Sequence, residues 1–491
     1  MASVRTSFAY SLAQRYAQSA LRLAAVLILA RLVSPSSFGD FAVPYSLFFL
    51  LHAAAESGVG AILIRQRPLE TSHIAQALRI SVAFSAACAA LMVLLCLTAD
   101  FWLEDGDSDL VFALMALGFL GVPHGLVAGS LLRRRMAFGI LCIVGIVSAA
   151  SNLLVAVSLA AAGWGALALG LGALAEIWLR SGMSMFLAYR RGRFRWRYRR
   201  SVGSATGPFL RISGGHALSQ ASHFVAIASV GSGLGAQAAG LFSRGERLIG
   251  IIDDLVLGAV SPVVLPALAN RRGDARDTAK AFLFKVDAVA VICGVFFCSL
   301  AIFAPEAVRV LLGTQWTEAV PIVQVFCLLG IIVPLSMANS KFLVLLNMER
   351  RYLTVQLATQ ITGSILIVAL LPLGVLGVIA GVVATRALDA LWTTRLLVRA
   401  LPIEGSDLVA LFLRNALVIA GCAGAAALCR FALPVADGFT ASAAILMAGG
   451  GATVLAALAV VFIIGHPLRP EIMRLAQRLS RQSIWPARSR Q

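Results

Sequence analysis

Charge is scarce in this chain, and acidic charge is scarcest. Only 13% of its 491 residues are charged, against about 25% in soluble domains. Acids number 23 and basic residues 41. Polar stretches are also short. The longest, at 189–206 between spans and at 465–491 in the tail, are too small to fold alone, which excludes a sizeable catalytic domain outside the apolar segments. Cysteine is sparse and badly spaced for chemistry. The eight residues (Cys88, Cys96, Cys142, Cys293, Cys298, Cys327, Cys422, Cys429) form no CxxC and no Cys/His ligand pattern. They lie in or beside apolar stretches and read as small buried hydrophobes, so no metal centre is expected. The sequence also lacks a Ser/His/Asp set, a catalytic carboxylate pair and a phosphate-cradling glycine loop. No cofactor is called for, and the chain does not read as an enzyme. A cleaved leader is not expected either, because the first apolar run, Ala20 to Val33, starts late, contains Arg22 and lacks an Ala-x-Ala exit.

Apolar residues fill the space that charge leaves. They make up 59% of the chain, with a mean hydropathy of +0.89. Spans long enough to cross a bilayer are predicted at 12–33, 41–64, 76–98, 110–132, 138–161, 164–188, 207–231, 239–269, 281–304, 319–345, 353–371, 373–398, 408–430 and 438–464. The fold class is therefore all-α integral membrane, with about 14 transmembrane helices. The net charge of +18 suggests nucleic acid at first. That reading fails, because the basic residues are scattered over short loops instead of gathered on one module. Of the 41, 27 fall on one side of the alternating spans, three (Arg31, Arg309, Arg430) on the other, and 11 inside spans. The positive-inside rule then places both termini in the cytoplasm and the acidic loop 101–109 outside.

The Arg-rich segment 189–206 divides the helices evenly. It separates an N-lobe, 1–188 with spans one to six, from a C-lobe, 207–398 with spans seven to twelve. Helices thirteen and fourteen occupy 408–464, and a basic cytoplasmic tail runs over 465–491. FGDFAVPYSLFFLL (38–51) and AGLFSRGERLIGII (239–252) echo one another at the start of spans two and eight. Repeated bundles of this kind place a substrate path where the repeats meet. In the tail, Ile472, Leu475, Ala476 and Leu479 alternate with Arg474, Arg478 and Arg481. That pattern fits either a helix lying on anionic headgroups or a frayed basic end.

The segment ARLVSPSSFGDFAVPYSLFFLLHAAAESGVGAILIRQ (30–66) resembles the opening of the polysaccharide-transport (Wzx-type) flippases, where a Pro-x-x-Phe-Gly turn joins the first two helices. LLRRRMAF (131–138), GWGALALG (163–170), AAGLFSRGERL (238–248), PALAN (266–270) and LLGTQWTEAVPI (311–322) continue the match in order, and the colanic-acid-type exporters look closest. The resemblance implies the multidrug/oligosaccharidyl-lipid/polysaccharide exporter fold: two six-helix lobes around a central cavity, plus two C-terminal helices. It implies movement of an undecaprenyl-pyrophosphate-linked oligosaccharide across the bacterial inner membrane. The implied partners are that lipid-linked substrate, membrane lipids, and possible association with a glycan polymerase and a chain-length regulator.

Charges inside spans carry the chemistry, since each costs ~3 kcal/mol or more at the bilayer centre. Arg22, Arg211, Arg244, Arg247 and Arg386 sit within spans and are the candidates for a cationic cavity that grips pyrophosphate through planar donor forks. Snorkelling to the interface remains open for Arg244 and Arg247. Glu56, Asp253 and Asp254 are candidates for ion or proton coupling, with His52 one turn from Glu56. Arginine pairing of those acids is the plainer alternative. Glu176/Arg180 and Arg386/Asp389 are spaced to neutralise each other. His216 and His223, seven apart, would share a helical face as polar lining, with no third ligand for a metal. Two other functions stay in view. A drug or small-cation antiporter of the same superfamily would favour an acid-rich cavity. A membrane glycan polymerase or ligase would carry a longer external loop than 305–318.

Overall fold

The structure is a computed structural model that describes residues 4–65, 68–103, 106–190, 206–252, 275–330, 348–433 and 438–470, with isolated positions at 332, 339, 342, 343, 345, 346, 472, 473 and 477. The described residues are helical throughout, and no strand occurs among them. The first eight helices are α1 (Val4–Leu32), α2 (Pro35–Arg65), α3 (Thr71–Thr98), α4 (Ser108–Arg134), α5 (Phe138–Ala161), α6 (Gly165–Arg190), α7 (Thr206–Ser219) and α8 (Ala221–Ile252). Then come α9 (Ala275–Ile302), α10 (Ala304–Leu311), α11 (Val320–Phe326), α12 (Glu349–Ala369), α13 (Gly374–Ala400), α14 (Gly405–Ala432) and α15 (Phe439–Ile463).

Among the described residues, 11 helices are long and apolar enough to cross a membrane. The remaining expected spans are accounted for individually. The first is the 29-residue α1, which carries Arg15, Arg22 and Arg31 and is not among the 11. Spans seven and eight share the single element α8 over Ala221–Gly250, and part of span ten (331, 333–338, 340, 341 and 344) lies outside the described residues.

Two features differ instructively from the sequence expectation, the start of α2 and a break inside span seven. Helix α2 begins at Pro35, not near 41, so the Pro-x-x-Phe-Gly segment is a first helical turn instead of a linker. Proline suits that position because its missing N–H would be unsatisfied there anyway. Ser34 caps the turn, its hydroxyl accepting from the Ser37 N–H at 3.2 Å. The polar first turn hid the start from hydropathy. Spans seven and eight meet at Gly235, which adopts φ +86° inside α8, a conformation that favours glycine. His223 of the arm before Gly235 meets Glu246 of the arm after it at 3.0 Å, so the chain reverses at Gly235. A further break at Gln220 divides span seven, and the Ser222 N–H freed there donates to Gln360 Oε1 at 3.4 Å.

The chain packs as two compact units. The first comprises Met1–Leu255, Leu311–Ile322 and Leu353–Thr385. Here α2 is the hub, packing on α3, α4, α6, α7 and α8, while α1 leans on α5 and α5 on α6. Glycines let the hub approach α8 closely. A Cβ at Gly39 would overlap the Ala236 carbonyl, and one at Gly240 the Pro35 carbonyl. Alternate loops gather at one end of this unit. Ser37 meets Gly165, Asp40 meets Gly106 and Ser108, and Trp316 donates Nε1–H to Ala30 O at 2.8 Å. At the other end Arg134 donates to Leu63 O at 2.6 Å.

The second unit comprises Val256–Val310, Val323–Tyr352 and Arg386–Gln491. Its cores join α9 to α14 and α15 through Val291, Val418, Cys422, Ala457 and Val461, and through Phe303, Ala426 and Ile445. The outer faces of α14 and α15 present Leu413, Leu417, Leu428, Met447, Leu455 and Ile463, the apolar surface a lipid-facing helix needs. After Gly465 (φ +64°) the chain folds back, and Leu468 and Ile472 pack onto the α9/α14/α15 core.

Candidate functional site

One face of α2 carries a run of rings and charges. Phe38, Phe41, Tyr45, Phe48, His52 and Glu56 are spaced three or four residues apart, so they form one stripe. The rings touch in sequence. Phe41 stacks on Tyr45 at 4.8 Å, Tyr45 on Phe48 at 6.5 Å and Phe48 on His52 at 5.7 Å. At 1.5 Å rise per residue, Tyr45 lies ~15 Å and Glu56 ~32 Å along the helix from Pro35, so the stripe covers about the thickness of a hydrocarbon core.

Charges from four neighbouring helices converge on this stripe, all within the first unit. On the second arm of α8, Arg244 and Arg247 are one turn apart. The Arg244 guanidinium lies over the Phe38 ring at 4.1 Å, and its buried Nε has no hydrogen-bond partner among the described residues. Phe38 is itself held edge-on by Trp316 at 5.4 Å. Tyr45 lies within electrostatic reach of Glu176, Arg247, Arg22 and Arg180. His52 lies within reach of Glu56, Arg180, Glu176 and Arg133. On α6, Glu176 accepts from Arg180, one turn on, and from Asn152 Nδ2 at 2.8 Å. At the far end Glu56 pairs with Arg133 of α4 at 2.7 Å, both side chains about two-fifths exposed at 40% and 38%. Five guanidinium groups (Arg22, Arg133, Arg180, Arg244, Arg247) thus face two carboxylates, a surplus that suits an anion.

The expected residues divide accordingly. Arg22, Arg244 and Arg247 all lie within electrostatic reach of Tyr45. Arg22 is exposed on α1 and lines a recess of about 330 Å³ with Ser11, Gln14, Arg15, Gln18 and Ser19. Arg211 is exposed on α7 and turns toward its own helix start, Nε donating to Gly207 O at 3.4 Å. Arg386 is half-buried on α13, in the second unit. Glu56 is paired with arginine, and Asp253 and Asp254 lie outside the described residues. The break at Gln220 interrupts the register between His216 and His223, and His223 Nδ1 instead meets Glu246 at 3.0 Å.

Sequence reasoning missed two groups. Arg133 reads as a loop charge in LLRRRMAF but occupies the last turn of α4, where it can reach Glu56. In the second unit Asp287 is buried in α9, bonded to Arg414, accepting from Asn415 Nδ2 at 2.8 Å, and 3.9 Å from His466 Nε2. Nothing in the spacing of 287, 414 and 466 signals that meeting. Outside the spans, burial pushes the His466 imidazole below its ordinary pKa, against the opposing pull of Asp287.

The backbone resembles those of solved membrane transporters. The chain matches the solved structure of the lipid II flippase MurJ in an inward closed conformation, with TM-score 0.73 at 13% identity, over 95% of this chain and 100% of that one. It also matches an inward-facing MATE-family multidrug resistance transporter of the MOP superfamily, with TM-score 0.61 at 14% identity, over 78% of this chain and 95% of that one. These likenesses define the fold class. The family described as Polysaccharide biosynthesis protein matches residues 28–321, and the chain belongs to that family. The succinoglycan biosynthesis transport protein ExoT of Rhizobium meliloti (strain 1021) is 26% identical over 350 residues, 68% of each protein.

Proposed function

We propose that this protein moves an undecaprenyl-pyrophosphate-linked oligosaccharide repeat unit from the inner to the outer leaflet of the bacterial inner membrane, by alternating access, for surface polysaccharide assembly. The observation that carries this reading is that Arg22, Arg244 and Arg247 all lie within electrostatic reach of Tyr45, on a stripe about as long as the membrane is thick. Each guanidinium is costly in hydrocarbon, and an anionic headgroup in transit is the cargo that repays three. The fold neighbour named as a flippase for lipid II and the relative named for transport in succinoglycan biosynthesis support the same cargo class. A small-cation antiporter fits the arginine surplus poorly.

In this reading Arg22, Arg244 and Arg247 grip the pyrophosphate, and Arg211 and Arg386 are further stations on its path between an N-lobe of 1–188 and a C-lobe of 207–398. Glu56, Asp253 and Asp254 couple transport to an ion or proton gradient. Both termini face the cytoplasm, and a polymerase and a chain-length regulator receive the product. Deleting the gene in a strain with no second flippase should abolish surface polysaccharide and leave lipid-linked repeat units on the inner leaflet. Arg22→Ala should reproduce the defect at normal protein level, and Arg22→Lys should rescue it only in part, because the charge stays and the fork is lost. Normal surface polysaccharide in the deletion would refute the cargo. Full export by Arg22→Ala would refute that residue's role.

A further inference from the structure

The arginine stripe accounts for the charge of such a cargo but not for its sugars. A second feature of the first unit does. Ser11, Gln14, Arg15, Gln18, Ser19 and Arg22 are spaced at three and four residues, so they share one side of α1 and together line the recess of about 330 Å³. That volume is within the range of small-molecule sites. Four of the six are neutral amides and hydroxyls, which a lipid-facing helix does not carry without reason.

The chemistry of these four differs from that of the arginines. A guanidinium only donates, which suits phosphate oxygens. Serine hydroxyls and glutamine amides both donate and accept, which suits a sugar hydroxyl that must itself do both. The stripe is also held in place. Gln18 Nε2 donates to Gly145 O of α5 at 3.0 Å, which fixes the amide plane and leaves its carbonyl oxygen and second N–H for another partner. Gly145 permits this approach: a Cβ there would stand 2.6 Å from the Gln14 amide nitrogen and 2.7 Å from that of Gln18. Arg22, at the C-terminal end of the recess, also lies within electrostatic reach of Tyr45. The neutral stripe thus continues the charged site toward the N-terminal end of α1, over ~16 Å at 1.5 Å per residue.

We infer that the α1 recess is a carbohydrate subsite, in which Gln14, Gln18 and Ser19 bind hydroxyls of the glycan while Arg22 holds the adjoining phosphate. The inference rests on the cargo proposed above and adds to it a glycan contact separate from the headgroup contact. It places sugar selectivity on the first helix.

Binding to the full-length protein in lipid nanodiscs tests this with two probes. One is undecaprenyl pyrophosphate without sugar, and the other is the lipid-linked oligosaccharide extracted from polymerase-deficient source cells. The parent should bind the second more tightly. Gln14→Leu/Gln18→Leu should bind the bare lipid as the parent does and the glycosylated lipid about tenfold more weakly, the effect of losing one or two hydrogen bonds. Arg22→Ala should weaken both. The milder Gln18→Asn, which keeps the amide but shortens its reach, should fall between parent and double variant and covers the case in which the latter fails to fold. Equal loss for both probes, no loss for either, or a parent indifferent to the glycan would overturn the subsite while leaving the proposed cargo standing. A parent that binds neither probe would overturn the cargo itself.

Discussion

The contact at Asp287 sets a quantitative test of how the C-terminal helices are held. Asp287 is 2% exposed, and it joins α9 to α14 through Arg414 and Asn415. Two effects compete when it is replaced by alanine. Loss of interhelical hydrogen bonds is modest in membranes, averaging ~0.6 kcal/mol each. Loss of the counter-charge leaves Arg414 facing the core of the second unit, and breaking a buried pair costs about 3–5 kcal/mol. The second effect dominates. Because the Arg414 side chain keeps 29% exposure, the lower end applies, about 3 kcal/mol. Removing both charges should then recover most of the loss. Asn415 would not be stranded, since its amide also donates to Leu411 O at 2.9 Å. Asp287→Ala, Arg414→Leu and Asp287→Leu/Arg414→Leu would be compared by denaturant unfolding of the purified protein in detergent. The reasoning fails if Asp287→Ala costs under ~1 kcal/mol, or if the double variant is as unstable as the single one.

Three further outcomes follow from the same structure. Gly39→Val should prevent α2 from seating on α8, because its side chain would meet the Ala236 carbonyl, a backbone atom that cannot rotate away; folded protein recovered after size-exclusion chromatography should fall sharply, while Gly60→Ala, in open space on the same helix, should not change it. His466 is buried with a depressed pKa, so the unfolded state binds its proton more readily; its stabilising contribution is complete well above pH ~6.5 and is lost as pH falls through that value toward the folded pKa. Melting temperature should therefore drop between pH 7 and 5 by more in the parent than in His466→Gln. Glu56→Gln should release Arg133 from its 2.7 Å partner and alter the dependence of transport on the ion gradient without changing affinity for undecaprenyl pyrophosphate, measured in proteoliposomes with an imposed gradient.

Much of the architecture was legible from hydropathy, because a bilayer demands long apolar helices and polar breaks whatever their partners. Span five was read as 138–161, and α5 is Phe138–Ala161. Spans seven and eight were separated correctly on either side of Gly235. The start of α2 was not legible, since Ser34, Pro35 and Ser37 are polar or helix-breaking by type and become a capped first turn only through local hydrogen bonding. Arginine inside a span likewise announces itself by its cost, so Arg22, Arg244 and Arg247 stand out as candidates from the sequence.

Which charges meet is a different kind of information. Glu56 with Arg133 and Asp287 with Arg414 join residues 77 and 127 positions apart, and only helix packing sets those distances. The same holds for Arg211, which matched the other arginines in type but bonds back to Gly207 on its own helix. The sequence by itself determined that this protein is a helical membrane chain with costly cations inside its spans, because hydrocarbon penalises exposed backbone and charge one residue at a time. Tertiary structure alone decided which of those cations share a face and which acids hold them, because side-chain contact depends on how glycine-lined helices cross, and one-dimensional spacing does not encode that.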